Sequence, residues 1–354
     1  MHCKINILFT KNDKTGNVMK KILLDKNKNY YRGNMHCHST LSDGYFTPEQ
    51  LKMLYKERGY SFLALTDHEH INNNSYLDDD SFITITSGEF AIKQFPEQST
   101  MKNFDMKVCH LNLYAKEQGN DYTFCYSAVA DHFSSPDRRD KIKKPDSDYE
   151  RVYGHDGISR LIKEANEQGF LVCYNHPRWS LENYADYSGY EGLWGVEIYN
   201  HSCAADGLYD YDVNVLDDML RDGKRVSASC GDDNHNRLGD LDCSFGASVY
   251  VNADDLSYKS IIDGLTNGNF YTSMAPEIYS LYVEDGRVYI QCSNAVQICY
   301  STRGRRVKSV RATDGGFLSE ASFEIKDTDG YFRLDVIDAE GKRANTQAYF
   351  LEEL

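Results

Sequence analysis

This sequence lacks long apolar runs and closely paired cysteines, and its first residues do not predict a cleavable leader. No apolar stretch approaches a membrane span, and the start MHCKINILFTKNDKTG has only a short apolar patch without a small-residue cleavage site. None of the ten cysteines forms a Cys-x-x-Cys pair, which excludes zinc ribbons and thioredoxin-type redox motifs. Several cysteines stand in apolar strand-like runs, as free buried thiols do. We therefore expect a soluble cytoplasmic protein.

Positive charge is also scarce. The 354 residues contain 39 lysines and arginines against 54 aspartates and glutamates, which gives a net charge of -15. Binding the backbone of a long nucleic acid needs a broad basic field, so an extended nucleic acid is not an expected partner. Divalent cations can reverse the sign of the charge inside one pocket, so a small phosphorylated substrate is compatible with this composition. No membrane or protein partner is indicated.

The order of the apolar runs predicts three parts. Residues 1–30 are rich in lysine and asparagine and are interpreted as an N-terminal extension or edge strand. In residues 31–273, short β-rich runs alternate with amphipathic helices, which is typical of βα units around a parallel sheet or barrel. Residues 276–354 read as alternating strands with Asp-Gly turns and predict a small β-sandwich-like domain. The polar segment 116–153 is too long for an ordinary connection and predicts an excursion or lid.

The clearest helix start in the sequence is at Thr47. Thr47 as N-cap and Gln50 three residues later form a capping box, and Pro48 occupies the first helical position. Gly59 is the residue type that ends a helix. The sequence therefore predicts a helix between Thr47 and Gly59.

Histidines and carboxylates follow the ends of several strand-like runs. In a parallel barrel the C-terminal ends of the strands converge on one rim, where such folds place their chemistry. His110 fits this pattern less well, because it stands near the start of its own run. The candidate metal ligands are His36, His38, Asp43, His68, Glu89, His110, His176, Asp233 and His235.

These residue types predict a site with more than one metal ion. Imidazoles combined with carboxylates suit zinc, manganese or iron. One ion takes about four to six ligands, so nine ligands predict two or three ions that share a bridging carboxylate. Each motif alone has a simpler interpretation, such as a surface His-x-His pair or a solvated loop carboxylate, but their joint occurrence at successive strand ends favours a metal site. Asp67 is predicted to orient a ligating imidazole rather than to bind metal itself.

Four motifs together resemble the PHP (polymerase and histidinol phosphatase) family of metal-dependent phosphoesterases. They are NMHCHSTLSDG at 34–44, LTDH at 65–68, YNHP at 174–177 and GDDNH at 231–235. The resemblance spans residues 31–273 and implies a distorted (β/α)7 TIM-like barrel with two or three divalent ions at its C-terminal rim, here followed by a small C-terminal all-β domain. It implies the same nine ligands, with Glu89 as the bridge and a metal-bound hydroxide held by Glu89, His36 and His38.

The favoured function is hydrolysis of a small phosphate ester, such as a nucleotide, a sugar phosphate or a short oligonucleotide. Metal coordination would lower the pKa of bound water from 15.7 to roughly 7 and so supply a hydroxide. Arg178, Arg237 and Arg32 are the candidates for binding the phosphate, although a surface salt bridge explains each of them equally well.

Two other functions stay open. The GNFYTSMAPEI segment with the following β-domain looks like a subgroup that includes carbamate-ester hydrolases, so a carbamate or amide hydrolase using the same metal site is one alternative. A non-catalytic, metal-dependent binding module is the other.

Overall fold

The structure, a computed structural model, describes residues 20–95, 106–208 and 211–354. Most of the predicted N-terminal extension, residues 1–19, lies outside the described residues. Within the remainder, β1 (Lys21–Leu24) is the first strand. The chain divides into two units: one is Asn29–Thr272, and the other joins the described residues before Asn29 to Ser273–Leu354. No helix in the described ranges combines the length and apolar composition needed to cross a membrane.

The unit Asn29–Thr272 mixes strands and helices. Its strands are β2 (Asn29–Asn34), β3 (Phe62–Ala64), β4 (Ile83–Ile85), β5 (Ser87–Lys93), β6 (Val108–Ala115), β7 (Phe170–Tyr174), β8 (Gly195–Asn200), β9 (Ser227–Gly231), β10 (Ser248–Ala253) and β11 (Phe270–Ser273). Its helices are α1 (Pro48–Lys56), α2 (Pro136–Arg139), α3 (His155–Glu167), α4 (Tyr184–Tyr187), α5 (His201–Ala205), α6 (Val213–Arg221) and α7 (Tyr258–Thr266).

Two sheets carry this unit. One has the order β11-β10-β2-β3-β4, in which β2, β3 and β4 are parallel and β10 is antiparallel to β2. The other has the order β5-β6-β7-β8-β9, in which β7, β8 and β9 are parallel. The predicted βα alternation does not hold between β5 and β7, because β6 runs back along β5 and pairs antiparallel with both neighbours. The unit is therefore a mixed α/β structure with parallel and antiparallel strands.

The first helix forms as its sequence predicts. The Thr47 hydroxyl accepts a hydrogen bond from the Gln50 backbone N–H at 3.3 Å, and the Gln50 side chain accepts one from the Thr47 N–H at 2.9 Å. Such a cap contributes about 1 kcal/mol to helix stability. Leu51 and Tyr55 on the buried face pack into a core cluster that also contains Leu63 of β3. The helix thus covers the strand that leads to the LTDH motif.

The segment 116–153 is irregular apart from the short helix α2, and Arg151 anchors its end. The Arg151 guanidinium is buried, donates to the carbonyl of Ala91 at 2.9 Å and of Cys125 at 2.8 Å, and pairs with Glu69 at 2.6 Å. A buried arginine is stable only when such partners satisfy its donors. The excursion is thereby fixed against β5, next to the loop that follows His68.

The C-terminal part of the chain is extensively β-stranded. Its strands are β12 (Ile278–Glu284), β13 (Arg287–Ala295), β14 (Gln297–Thr302), β15 (Val307–Arg311), β16 (Leu318–Glu324), β17 (Tyr331–Ile337), β18 (Arg343–Thr346) and β19 (Tyr349–Phe350). They run in the orders β1-β12-β13-β16 and β15-β14-β17-β18, with β19 against β17. The predicted Asp285-Gly286 turn is confirmed: both residues have positive φ, 51° and 68°, as a tight hairpin between right-twisted strands requires.

Candidate metal centre

The structure brings the candidate ligand atoms of all nine predicted residues close together. Their candidate ligand atoms form four groups, and within each group these atoms lie within 4.8 Å of one another. The groups are His38, Asp43, His68 and His235; His36, His176 and Asp233; His36, His38 and Glu89; and Glu89, His110 and His176. Because the groups share members, the nine residues form one continuous set, which we call the ligand cluster.

Glu89 lies at the centre of the ligand cluster. Its Oε1 is 3.0 Å from His110 Nδ1 and 3.3 Å from the Nε2 atoms of His36 and His176. Its Oε2 is 3.0 Å from His68 Nδ1 and 3.4 Å from His38 Nε2. The carboxylate is buried, so both oxygens face imidazole nitrogens rather than water. This is the arrangement that a carboxylate shared between two ions needs.

Asp233 is the second buried carboxylate of the cluster. Its Oδ1 is 3.2 Å from His36 Nε2 and 3.0 Å from His38 Nε2. Its backbone has a φ of 52°, a left-handed conformation that costs a non-glycine residue about 1–3 kcal/mol. The hydrogen bond from its N–H to the carbonyl of His36 at 2.8 Å holds that conformation. Asp233 thus has a strained backbone conformation, and this conformation points its carboxylate at two histidines.

The outer group is centred on Asp43, the most solvent-accessible of the nine ligands. Its Oδ1 is 3.4 Å from His235 Nε2, 3.7 Å from His68 Nε2 and 3.8 Å from His38 Nδ1. The side chain of Asp43 is 36% exposed, whereas that of Glu89 is 1% exposed. Any ion in the outer group would therefore be reached first by solvent and substrate.

The antiparallel direction of β6 explains why His110 stands near the start of its strand. Leu111 of β6 pairs with Tyr174 of β7, and the carbonyl of His110 accepts a hydrogen bond from the Asn175 N–H at 3.0 Å. The beginning of β6 therefore lies beside the end of β7. The strand-end rule fails for His110 only because it assumes that every strand runs in the same direction.

The donor set of the cluster fits divalent metal ions. The Nε2 atoms of His36 and His38 are 3.3 Å apart, and the rings of His38 and His235 stack with centroids 4.2 Å apart. So many imidazole nitrogens and carboxylate oxygens converging on a buried volume leave lone pairs that suit a cation. Gly231 lets the chain pack this tightly, since a Cβ there would lie 2.3 Å from His36 Cβ. We conclude that the cluster can hold metal ions.

A cavity of about 310 Å³ opens onto the cluster. Phe133 of the excursion stacks on His68 with ring centroids 4.5 Å apart, and Trp179 packs 5.0 Å from His176. Both rings are partly exposed and line the cavity, as do Lys93 and Arg237. The cavity therefore combines aromatic walls with two cationic side chains beside the candidate ligands.

Comparison with known proteins gives structural neighbours but no sequence relatives. No protein-family model matches the sequence, and no curated protein sequence matches it. A two-domain protein from Bacteroides vulgatus ATCC 8482 covers 94% of this chain and 90% of its own, with 13% identity and a TM-score of 0.42. It contains a predicted PHP-like metal-dependent phosphoesterase. PHP-like proteins are thus among the structural neighbours, as the sequence motifs imply.

Two further neighbours match part of the chain. A candidate metal-dependent phosphoesterase from Bifidobacterium adolescentis covers 57% of this chain and 87% of its own, with 15% identity and a TM-score of 0.33. An amidohydrolase from Chromobacterium violaceum, with bound sulfate and no metal, covers the same shares, with 17% identity and a TM-score of 0.36. At these identities and TM-scores the neighbours do not indicate the reaction, which must be inferred from the ligand cluster.

Burial and neighbouring charges shift the pKa values of the histidines in the cluster in opposite directions. Burial lowers the pKa of His68, but Glu89 and Asp43 outweigh burial and raise that pKa to about 9. Burial lowers the pKa of His38 to about 4, assisted by the neighbouring His235 and His68. Burial opposes ionisation of Glu89, yet His110 and His36 hold its pKa well below the usual range. In the metal-free protein, therefore, some imidazoles of the cluster are protonated.

Metal binding at pH 7 is expected to release protons. A metal needs the free lone pair of each imidazole, and His68, with a pKa of about 9, carries a proton at pH 7 that the ion must displace. Metal affinity should therefore rise with pH up to about 9. In the metal-free protein, the stability that the raised pKa of His68 contributes is present below about pH 6.5 and lost as the pH rises through about 9.

Calorimetric titration of Mn²⁺ into metal-free protein, in buffers of different ionisation enthalpy, measures the released protons. Heats that do not depend on the buffer would contradict the prediction. A His132→Ala variant, which changes an exposed histidine outside the cluster, should release as many protons as the unmodified protein.

Glu197 was missed from the sequence, yet it organises the cluster from behind. Its Oε1 lies 3.1 Å from His36 Nδ1, and its Oε2 accepts from the His176 backbone N–H at 3.1 Å. A proton on Nδ1 of His36 then leaves Nε2 free to face Glu89 and Asp233. The only sequence signal was an acidic residue inside the apolar run GVEIYN, a position where a charge needs a specific partner.

The Glu197→Gln variant is expected to weaken metal affinity about 10- to 100-fold, because outer carboxylates fix the orientation and basicity of ligating imidazoles. Competition against a calibrated chelator measures this affinity. The exposed Glu167→Gln variant is the control and should bind metal normally. If Glu197→Gln also binds metal as tightly as the unmodified protein, Glu197 has no role in orienting His36.

The three predicted phosphate-binding arginines have different surroundings. Arg237 lines the cavity beside the ligand cluster. Arg178, two residues after His176, is exposed and does not line that cavity. The Arg32 guanidinium donates to the Ser248 hydroxyl at 2.8 Å and to the Tyr60 hydroxyl at 3.0 Å. These hydrogen bonds give Arg32 a structural role, and its binding of phosphate stays a prediction.

Asp67 fixes the loop between two candidate ligands. It accepts hydrogen bonds from the Ser39 N–H and hydroxyl at 2.8–3.0 Å and from the Ser42 hydroxyl at 2.9 Å. These bonds fix the turn between His38 and Asp43. The Ser42 hydroxyl also lies 3.4 Å from His38 Nδ1, and the role of Asp67 in orienting a ligating imidazole stays a prediction.

Proposed function

We propose that the ligand cluster binds two or three divalent ions and that the protein hydrolyses a small phosphate ester there. The observation that carries the proposal is the convergence of nine ligands around Glu89 and Asp233, more than a single ion takes. Zinc, manganese and iron are the ions that such imidazole and carboxylate sets suit. When bound, the ions would lower the pKa of a coordinated water to about 7 and offset the charge of a phosphoryl group.

The residues of the chain have distinct roles in this proposal. Glu89 and Asp233 would each contribute carboxylate oxygens to bound ions, while Asn175 fixes Glu89 by donating to its Oε1 at 2.8 Å. Arg237 would bind the phosphoryl oxygens, because a guanidinium offers paired donors that match a phosphate. Phe133 and Trp179 would contact the leaving group and keep water away from it.

We infer that the two sheets of the unit Asn29–Thr272 form the distorted barrel implied by the motifs. Parallel bridges between Cys37 and Asn234 and between His68 and Glu89 connect chain segments of one sheet to those of the other. Both bridges include or adjoin ligands. In the C-terminal unit, Tyr300 of β14 stacks on Phe323 of β16 at 5.4 Å, which supports a sandwich-like pairing of its two sheets.

The proposal includes a reducing, cytoplasmic environment and a small phosphorylated substrate. Nine cysteines lie in the described residues and all of them are free thiols, most of them buried. Disulfides are rare in reducing compartments, so free thiols are compatible with the cytoplasm. The cavity of about 310 Å³ suits a small substrate, such as a nucleotide or a sugar phosphate, better than an extended nucleic acid.

A substrate panel tests the proposed function. Protein loaded with Mn²⁺ or Zn²⁺ is assayed on phosphomonoesters, phosphodiesters and an aryl carbamate, beside the His68→Ala variant. We expect turnover of at least one phosphate ester that His68→Ala abolishes. Faster turnover of the carbamate than of every phosphate ester would overturn the proposal, and bound metal without any turnover would indicate a binding module.

Arg237→Gln is expected to lower kcat/KM for phosphate esters about 10- to 100-fold, because a charge-assisted hydrogen bond to phosphate is lost. Hydrolysis of any neutral carbamate should change little. Arg221→Gln, which alters an exposed arginine on α6, is the matched control. Equal kcat/KM values for Arg237→Gln and Arg221→Gln would remove Arg237 from the site.

A further inference from the structure

The C-terminal unit carries a basic edge strand that neither the ligand cluster nor the proposed reaction uses. All five residues of β15 are exposed. This strand ends the order β15-β14-β17-β18, and within the described ranges it pairs only with β14. Its outer edge therefore presents backbone N–H and C=O groups that can pair with another strand.

The charge of this edge is opposite to that of the whole protein. Residues 300–313, YSTRGRRVKSVRAT, contain five basic residues and no acidic residue, in a chain of net charge -15. Arg306 is committed to Asp329 by an ion pair. Among the described residues, no carboxylate lies within 4.0 Å of the charged groups of the other four: Arg303, Arg305, Lys308 and Arg311. Four like charges without counter-charges repel one another, which an anionic partner would relieve.

The faces of β15 combine these charges with exposed apolar surface. Lys308 pairs with Tyr300 and Val310 pairs with Ile298, so both continue the buried face of β14. Val310 is nevertheless 37% exposed, and Val307, on the opposite face, is 56% exposed. The apolar face of the sheet is therefore only partly covered at β15, and one more strand beside β15 would cover it.

Edge protection alone and self-pairing explain these features less well. Lysine on an edge strand hinders edge-to-edge aggregation, but this role does not explain the exposed valines beside the charges. A second copy of this chain pairing through β15 would bring two sets of four cations along a shared edge, which is unfavourable. A nucleic acid would use the charges but neither the open hydrogen-bonding edge nor the exposed valines. An acidic strand uses all three features.

We propose that β15 is a docking site for an extended acidic peptide segment of a partner protein. The segment adds as a further strand beside β15, its backbone pairs with the open edge, and its carboxylates pair with Lys308, Arg311 and the arginines before the strand. Val307 and Val310 lie on opposite faces of β15, and so do Lys308 and Arg311, so the segment carries β-branched and acidic side chains on both of its faces. The proposal is independent of the hydrolytic reaction.

The probe is a synthetic peptide of about six residues, the usual length of a strand, in which pairs of glutamates alternate with pairs of valines so that each face carries both residue types. Its binding to the full chain is measured by fluorescence anisotropy at low salt. Two further peptides carry N-methyl groups on every second residue, in the two possible phases, which removes backbone donors without changing the charge. We expect the unmodified peptide to bind and one N-methylated phase to bind at least about tenfold more weakly.

Charge reversal is the second arm. The Lys308→Glu/Arg311→Glu variant should bind the glutamate peptide about tenfold or more weakly and should gain affinity for the matching lysine–valine peptide. Lys308→Gln/Arg311→Gln should bind with intermediate affinity. Lys163→Glu/Lys259→Glu, which changes the net charge equally on exposed helix surfaces, is the control and should bind the glutamate peptide normally. Thermal unfolding of each variant shows whether it is folded.

Three outcomes would overturn the proposal. Equal binding of both N-methylated peptides and the unmodified one would show that charge alone acts. Tighter binding of a short oligothymidylate than of the peptide would make the edge a nucleic-acid surface. A lack of binding by every probe at low salt would leave the charges as edge protection only.

Discussion

Replacing Glu89 with glutamine is expected to reduce turnover on the order of 1,000-fold and to lower the metal content of the purified protein. Glutamine keeps the size of the side chain but removes the negative charge on which five imidazoles converge, at 3.0–3.4 Å. An ion shared through this carboxylate loses both a ligand and a counter-charge. Steady-state kinetics together with elemental analysis of protein purified without chelators measure the two effects.

Glu57→Gln is the matched control, since Glu57 is exposed after the end of α1 and outside the cluster. It should keep normal metal content and turnover. Glu89→Asp, which retains the charge on a shorter side chain, should lose less metal than Glu89→Gln. The central role of Glu89 is contradicted if Glu89→Gln keeps both its ions and its activity.

Removing the metal ions is expected to lower the unfolding temperature by about 10 °C. An ion present at about 1,000 times its dissociation constant stabilises the folded state by about 4 kcal/mol, and each kcal/mol shifts the midpoint of a domain of this size by about 2–4 °C. Scanning calorimetry of metal-free and reloaded protein measures the shift.

The shift should depend on the cluster itself. His36→Ala removes a ligand that belongs to two of the four groups and should lose most of the metal-dependent stabilisation. His132→Ala alters an exposed histidine and should retain it. An identical shift in both variants would place the stabilising ion elsewhere in the protein.

The strand-end pattern selected the nine residues that the structure brings together, because it depends on short stretches of chain. A buried run such as FLALT ends where a polar residue appears, and parallel strands bring those ends together without further information. Thr47 and Gln50 likewise specify the start of α1 through contacts only three residues apart. Features determined within a few residues could therefore be predicted from the sequence.

Features that depend on distant pairing could not. The direction of β6 is decided by its register against β5 and β7, which the apolar pattern of one strand does not reveal. Arg32 bonds to Ser248, more than two hundred residues away, so its structural role was invisible beside the nearby histidines. Glu197 was missed for the same reason, since its partner His36 is 161 residues away in the sequence.

The reversed direction of β6 also places two candidate ligands on one antiparallel pair of strands. Glu89 of β5 pairs with Asn112, and His110 of β6 pairs with Ala91, so both ligands depend on the same register. A slip of one residue in such a pairing turns every side chain of the shifted strand to the other face of the sheet. Deleting a single residue from β5 or β6 is therefore expected to remove Glu89 or His110 from the cluster, although neither ligand itself is changed.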